Sequence, residues 1–310
     1  MRSVHVVVLN WNGKEDTTRC LDSLARLEVP AGTEIVTWVV DNGSADGSMS
    51  ELPPRFPWAR FLPIEKNLRY AGGNNRGLQA ALAAGADFVL FLNNDTEASP
   101  SLVVQLVAEA DTAPRAGLLG PCITDGAGRV WFAGGHVSCW MGWTWHEGIG
   151  AAPESGGRSR DVGYLTGCCL LGRRETLEKL GGFDEGYYLY AEDTDLCLRA
   201  QAAGWTCRFV PAAHLVHYVS SSSGGAVNPF KAYQRTRAGL RLFSRHARGA
   251  QRLTWPLGFL ALLGAHALKW TLVGRPSAAV AGFRAVIDAG LGRSPGEAFP
   301  VPPRPRAVSS

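Results

Sequence analysis

Two distant stretches of the chain carry carboxylates in settings where chemistry is possible. The first is Leu90-Phe91-Leu92-Asn93-Asn94-Asp95-Thr96, where an apolar run stops abruptly at two amides and an acid. A carboxylate just past a buried strand can hold a divalent cation, and that cation can hold a diphosphate. The bland alternative is that Asp95 caps a helix starting near Ser99 or sits in a turn. The second stretch is Glu192-Asp193-Thr194-Asp195, behind the aromatic run Tyr187-Tyr188-Leu189-Tyr190. Acids in a first helical turn favour the helix dipole, so some are structural. Three are more than a cap requires, and one could act as a general base. Asp41 follows an apolar run directly and fits a role reading a base or ribose. Asp46-Gly47 after it is Asx-turn chemistry. His217 stands alone in a strand-like stretch, where a histidine is more often structural than functional.

The elements that must position these groups follow from periodicity. Residues 4–9, 35–40, 61–64 and 88–92 are apolar runs that read as strands. Residues 14–27 have leucines at helical spacing, and 78–84 continue a helix. Four βα units ending in polar loops predict a doubly wound α/β, nucleotide-binding half over about 1–123. Asn10 and Asn12 lie at the carboxyl end of the first strand. After the third strand come Asn67-Leu68-Arg69-Tyr70-Ala71-Gly72-Gly73-Asn74-Asn75-Arg76-Gly77. Gly72 and Gly73 permit close backbone approach to a ligand, and a helix beginning near Asn74 would aim its terminal amides at a nucleotide. There is no GxGxxG, so a dinucleotide fingerprint is absent.

A second half, about 124–228, is expected to take the acceptor. It opens on an irregular stretch, 125–161, with Trp131, Trp140, Trp143 and Trp145 close together. These could form a sugar- or lipid-facing platform or pack under a long loop. Residues 162–171 read as a strand, 173–180 as a helix, and 207–210 and 215–219 as two short strands. The serines and glycines of 220–225 look like a mobile loop or lid.

The chain has 310 residues and a net charge of +4, spread unevenly. Residues 228–310 hold 13 Lys and Arg against 2 Asp and Glu; the rest hold 18 against 25. An acidic body with a basic tail suggests that the tail faces something anionic. Seven cysteines without a CxxC pair argue against a zinc site or a disulfide framework. The N-terminus enters a strand-like run directly, so no secretory leader is expected.

In their order and spacing these pieces resemble a glycosyltransferase of family 2, in its rhamnosyltransferase-like branch, over roughly residues 3–245. The matching motifs are Val7 through Gly13, Trp38 through Ser48, Asn67 through Gly77, Phe91 through Thr96, Gly181 through Glu185, Tyr190 through Arg199, and His217. The resemblance implies a GT-A fold and transfer of a single sugar, with inversion, from a nucleotide-diphosphate sugar to a cell-envelope polysaccharide or lipid-linked glycan. It points to dTDP-rhamnose, with UDP- and GDP-sugars left open. It implies Asp193 as general base, beside Glu192 and Asp195, and a donor site built from Asn10, Asn12, Asp41, Arg69, Gly72, Gly73, Asn74, Asn93 and Asn94. Asp95 would bind Mg²⁺ or Mn²⁺ on the diphosphate, and His217 would approach the metal or diphosphate. Asn93 stands where many relatives carry Asp, and Arg69 where that branch has glycine. The QxxRW motif of processive synthases is absent. A sugar-1-phosphate nucleotidyltransferase and a degenerate, non-catalytic nucleotide-sugar binder or membrane scaffold are the competing readings.

Residues 229–299 are expected to form a basic amphipathic helical extension, and 300–310 a Pro-rich disordered tail. Residues 255–273 are apolar but carry Gly258, Gly264, His266 and Lys269. An amphipathic helix lying on an anionic inner membrane face fits this better than a span, which needs ~20 predominantly apolar residues. A helical cap on the folded body is the further alternative. The expected location is therefore cytoplasmic and peripheral on the inner face of the plasma membrane, with no nucleic acid partner.

Overall fold

A computed structural model describes residues 1–153, 157–218 and 227–299. The expected lid at 220–225 and tail at 300–310 lie outside them. The elements in order are β1 (Arg2–Asn10), α1 (Lys14–Leu24), β2 (Thr33–Asp41), α2 (Ser48–Arg55), β3 (Arg60–Pro63) and α3 (Arg69–Ala83). Then come β4 (Phe88–Asn93), β5 (Thr96–Ala98), α4 (Leu102–Thr112), β6 (Ala116–Asp125) and β7 (Val130–Phe132). A hairpin of β8 (Gly135–Ser138) and β9 (Trp143–His146) follows, with β10 (Arg160–Asp161), β11 (Cys169–Arg173), α5 (Arg174–Leu180), α6 (Glu192–Ala202) and β12 (Thr206–His217). The chain closes on α7 (Pro229–His246), α8 (Gln251–Leu272), α9 (Pro276–Gly290) and α10 (Pro295–Ala298).

The chain divides into two compact units. The first comprises residues 1–136, 145–185 and 192–219, and the second 137–144, 186–191 and 220–310. Two short internal segments, 137–144 and 186–191, thus join the C-terminal helices.

The first unit is built on a mixed sheet in the order β10-β12-β6-β11-β4-β1-β2-β3. Strands β3, β2, β1 and β4 run parallel. The apolar runs of β1 and β4 are buried on both faces, as a parallel sheet covered by helices requires. Strand β11 lies antiparallel between β4 and β6. This is the GT-A arrangement, in which the loops after the parallel strands open on one edge.

Three local expectations are corrected. Helix α3 begins at Arg69, not near Asn74, so Gly72 and Gly73 lie inside it. A Cβ on Gly73 would come within 2.4 Å of Leu9 Cδ1, and one on Gly77 within 2.3 Å of Val7 Cγ1. These glycines let the helix backbone lie close on the sheet. The strand expected over 162–171 is confined to Cys169–Arg173. The two short strands expected at 207–210 and 215–219 are one strand, β12, with a register shift between Val210 and His214.

In the second unit α7 packs on α9, and α8 on α9. Asn228 caps α7 by accepting from the Lys231 amide. Tyr233 is fully buried with Ala281 and Ala285, and its hydroxyl donates to Asp288 at 3.1 Å. Arg293 and Arg284 pair with the same carboxylate; against burial, the Tyr233 hydrogen bond and then these arginines hold Asp288 below the usual carboxylate range. Helix α8 leaves Leu253, Leu257, Leu260, Leu268 and Leu272 exposed at spacings of three, four or eight, and so along one face. No helix among the described residues is long and apolar enough to cross a membrane.

Candidate active site

The residues after β1, β2 and β4 form one buried polar network. Asn10 Nδ2 donates to Asp41 Oδ1 at 2.8 Å, and Asn10 Oδ1 accepts from Thr17 Oγ1 at 2.9 Å. Asn94 Nδ2 donates to Thr17 Oγ1 at 2.9 Å. The other Asp41 oxygen accepts from the Ser44 amide, and Ser44 Oγ accepts from the Asn12 amide. Asn12 in turn accepts from the Ala45 amide at 2.7 Å. Asp41 therefore orders the 42–47 loop from beneath, and Asn94 ties the Asn93–Asp95 turn to the first βα loop. Asp46 is an Asx turn: it accepts from Ser48 and from the Lys14 amide, and these bonds hold its carboxyl below the usual range despite burial.

A second group surrounds the start of α3. Asn42 Nδ2 donates to Asn67 Oδ1 and to the Arg69 carbonyl, each at 3.0 Å. Arg69 has a φ of +64°, a left-handed conformation that glycine adopts freely and arginine at a cost. Within α3, Asn74 is 1% exposed and its Oδ1 has no hydrogen-bond partner. Asn75 bonds to the backbone of Phe183 and to Glu185, fixing α3 to the Gly182-Phe183 turn.

The Asp95 turn is carried by β4 and secured by β12. The Asp95 carbonyl accepts from the Tyr218 amide at 2.9 Å, and Thr96 pairs with His217 in the β5/β12 register. This sets His217 Nε2 at 3.2 Å from Asp95 Oδ1. Both side chains are largely buried, and Trp131 stands edge-on to the His217 ring with centroids 4.7 Å apart. The reading of Asp95 as a helix cap is removed, because α4 begins at Leu102 after Ser101. A carboxylate and an imidazole converging at a strand end are donors that suit a divalent cation. His217 Nδ1 is buried without a partner, so the ring is not explained by structural hydrogen bonding alone. Among the described residues no group of three or more His, Cys, Asp or Glu that could hold a metal ion comes together.

Asp193 is brought to the same edge by a backbone relay. The Asn93 amide donates to the Cys168 carbonyl at 2.9 Å, extending the β4/β11 pairing by one residue. The preceding residue, Gly167, donates its amide to Asp193 Oδ2 at 2.8 Å. The Thr194 amide and hydroxyl donate to Asp193 Oδ1 at 2.6 and 3.2 Å. Tyr70 donates to the Gly167 carbonyl at 2.6 Å, and burial, then the charges of Asp193 and Glu192, push its hydroxyl well above the usual range. The Cys168 thiol is likewise pushed up, by burial and then by Asp95.

The three acids of α6 differ in environment. Glu192 is 7% exposed, one of its oxygens has no partner, and burial followed by the charge of Asp193 pushes its carboxyl up to about 8. Asp195 is fully buried and pairs with Arg199 at 2.6 Å, whose guanidinium also donates to the carbonyls of Leu180 and Gly182. Asp193, in the first turn of α6, is partly exposed and accepts from Gly167 and Thr194.

Sequence does not mark Thr17, Ser44, Thr194 or the Thr166–Cys168 stretch as site residues. Thr194 bonds its neighbour Asp193, and the others act through contacts with residues remote in the chain. Trp131 packs on His217 and His146, and Trp145 stacks on His136 at 4.7 Å. Trp140 and Trp143 are 55% and 40% exposed.

A family model described as "Glycosyl transferase family group 2" matches residues 88–287. The N-acetylglucosaminyl-diphospho-decaprenol L-rhamnosyltransferase of Mycobacterium tuberculosis is 34% identical over 221 residues, covering 65% of this chain and 72% of the relative. Among solved structures, S. aureus TarS 1-349 in complex with UDP-GlcNAc superposes with a TM-score of 0.62 at 17% identity, over 93% of this chain and 80% of TarS. The mannosyltransferase PcManGT from Pyrobaculum calidifontis, in complex with GDP-Man and Mn²⁺, gives 0.55 at 18% identity over 95% and 77%. At these identities the structural likenesses speak to the fold.

Proposed function

Because the chain belongs to glycosyl transferase family group 2 and is a rhamnosyltransferase-like enzyme, we propose that it transfers a single sugar, with inversion, from a nucleotide-diphosphate donor to a sugar-diphospho-polyprenol acceptor. The observation that carries this reading is the backbone relay Asn93–Cys168–Gly167, which ties the Asp95/His217 pair and Asp193 to one edge of the sheet. Inverting transfer needs that juxtaposition, because a base and a stabiliser of the leaving group must flank one carbon.

Asp193 takes the proton from the acceptor hydroxyl. Its two oxygens keep lone pairs beyond those used by Gly167 and Thr194, and those bonds fix its orientation. Glu192, carrying its proton at neutral pH, adds no second negative charge beside the base. Asp195 positions α6 through Arg199 and takes no part in proton transfer. Asn10, Asn12, Asp41, Asn93 and Asn94 shape the donor floor, with the base and ribose held on the 42–47 loop. Arg69, Gly72, Gly73 and Asn74 bring the start of α3 to the donor. The Asn74 Oδ1 acceptor suits a donor hydroxyl. Asp95 and His217 would hold Mg²⁺ or Mn²⁺. When bound, the cation neutralises charge developing on the departing diphosphate.

The sugar is rhamnose, in keeping with the mycobacterial relative, an L-rhamnosyltransferase, and dTDP-rhamnose is the donor we infer. The enzyme works peripherally on an anionic membrane, with the leucine face of α8 entering the lipid interface and the arginines of the extension drawn to its charge. The test is a panel of dTDP-, UDP- and GDP-sugars with an N-acetylglucosaminyl-diphospho-lipid acceptor, with and without Mn²⁺. Metal-dependent product from one donor, lost in Asp95→Ala, is the expected result. Equal turnover without metal, or full activity in Asp95→Ala, would remove the metal assignment.

A further inference from the structure

The second unit contains a cavity of about 160 Å³ lined by Tyr187, Tyr188, Gln234, Arg237, Arg241 and Pro295, among others. Among the described residues, its lining holds two guanidinium groups and no acid. Two of its polar atoms are buried without any partner: Arg237 Nη1, a donor, and Gln234 Oε1, an acceptor. Gln234 is 1% exposed. Its amide cannot be turned round to hide the deficit, because Nε2 already donates to the carbonyls of Phe299 and Pro295 at 2.8 and 3.3 Å. Arg237 is held as firmly, with Nη2 donating to the Arg293 carbonyl at 2.8 Å. Arg241, one helical turn on, lies with its guanidinium 5.0 Å from the Tyr187 ring centroid. Buried polar atoms left unpaired in fixed orientations are costly, and a ligand that pairs both recovers the cost.

We propose that this cavity binds a phosphorylated sugar, the head group of the acceptor, with its phosphoryl oxygens on Arg237 and a sugar hydroxyl or amide donating to Gln234 Oε1. The assignment rests on the transferase reading above, which supplies an acceptor of this chemistry. A guanidinium with a free N–H calls for an anion, and planar phosphate recognition suits arginine. An amide oxygen calls for a donor, which a lipid phosphodiester lacks; inorganic phosphate has a P–OH but cannot span both Arg237 and Gln234 with a sugar's further contacts. One molecule carrying both is a sugar phosphate. The cavity is too small for a polyprenyl chain and suits the head group alone. Tyr187 and Tyr188 belong to the segment that runs through Tyr190 and Ala191, left-handed at φ +70° and +64°, directly into Glu192-Asp193. The chain that contacts the head group is therefore continuous with the chain that carries the base.

Calorimetry on the full chain without any nucleotide sugar tests the cavity apart from the transfer reaction. The probes are N-acetylglucosamine 1-phosphate, inorganic phosphate and phosphatidylglycerol vesicles. The wild type should bind the sugar phosphate at least tenfold more tightly than inorganic phosphate. Arg237→Gln and Gln234→Glu should each weaken the sugar phosphate by about tenfold or more, with vesicle binding unchanged. A thermal melt checks that each variant folds, and Arg237→Gln decides alone if the other does not. Unchanged sugar-phosphate affinity in Arg237→Gln, or a loss confined to the vesicles, would overturn the proposal. Because no donor is present, a failure to find transfer with any nucleotide sugar would leave this result standing, and the converse holds too.

Discussion

Glu192 should make the enzyme's stability depend on pH in a way that one substitution removes. Its carboxyl is 7% exposed, with Oε2 unpartnered, and its pKa rises from the usual 4.5 to about 8, first through burial and then through Asp193. The folded chain therefore keeps a proton that the unfolded chain releases. Stability from this group is full below about pH 4.5, falls as pH rises, and levels off above about pH 8. Each pKa unit is worth about 1.4 kcal/mol, so the wild type should lose about 1 kcal/mol by pH 5, about 3 by pH 7 and about 5 by pH 9. Glu192→Gln has no proton to lose. Its amide leaves an unpaired group at every pH, so the readout is the slope with pH and not the offset between the two proteins. Urea unfolding of both proteins at pH 5, 7 and 9 measures it. The gap between them should move in favour of Glu192→Gln by about 4 kcal/mol from pH 5 to pH 9. A change below about 1 kcal/mol would show that Glu192 is solvated or paired, and with it would fall the neutral partner assigned to Asp193.

Gly77→Ala should destabilise the fold by about 2 kcal/mol, because overpacking outweighs the gain in helix propensity. The new Cβ would meet Val7 Cγ1 at 2.3 Å and Val40 Cγ2 at 2.9 Å. Thermal unfolding reports it, and a stabilised variant would contradict the close seating of α3 on the sheet. Replacing Leu257 and Leu268 together with Glu puts charge on one exposed face of α8, since they are 72% and 63% exposed. Sedimentation with phosphatidylglycerol vesicles should show at least tenfold weaker binding, given ~1.5–3 kcal/mol for each leucine transferred from water. Unchanged binding would make that face a surface for something other than lipid.

The parts of this molecule that sequence makes legible are those dominated by local apolar pattern. Strands β1 and β4 announce themselves as buried β-branched and aromatic runs, and Asp95 stands out because β4 stops there so sharply. Sequence places the start of helix α3 too late because glycines disfavour helices, and Gly72-Gly73 looks like a turn from sequence alone. Packing against Leu9 and Val7 overrides that propensity, and the true boundary is the left-handed Arg69. Strand β12 reads as two strands in the sequence because its bulge at residues 210–214 interrupts the alternation. The relay from Asn93 through Cys168 and Gly167 to Asp193 depends on β11 entering antiparallel between β4 and β6, a pairing across about 80 residues that no periodicity encodes. The environments of Glu192, Asp193 and Asp195 were equally hidden, since three acids in one helical turn look alike until burial and partners separate them.

The measurement closest to the central claim is single-turnover transfer by Asp193→Asn, with donor affinity measured on the same preparation. The amide keeps the side chain's shape but cannot take a proton. Transfer should fall by about 10² to 10⁴-fold while donor binding stays within about twofold of wild type. Transfer within tenfold of wild type, with the donor still bound, would move the proton-accepting role away from Asp193 and dissolve the pairing of that carboxylate with the Asp95/His217 site.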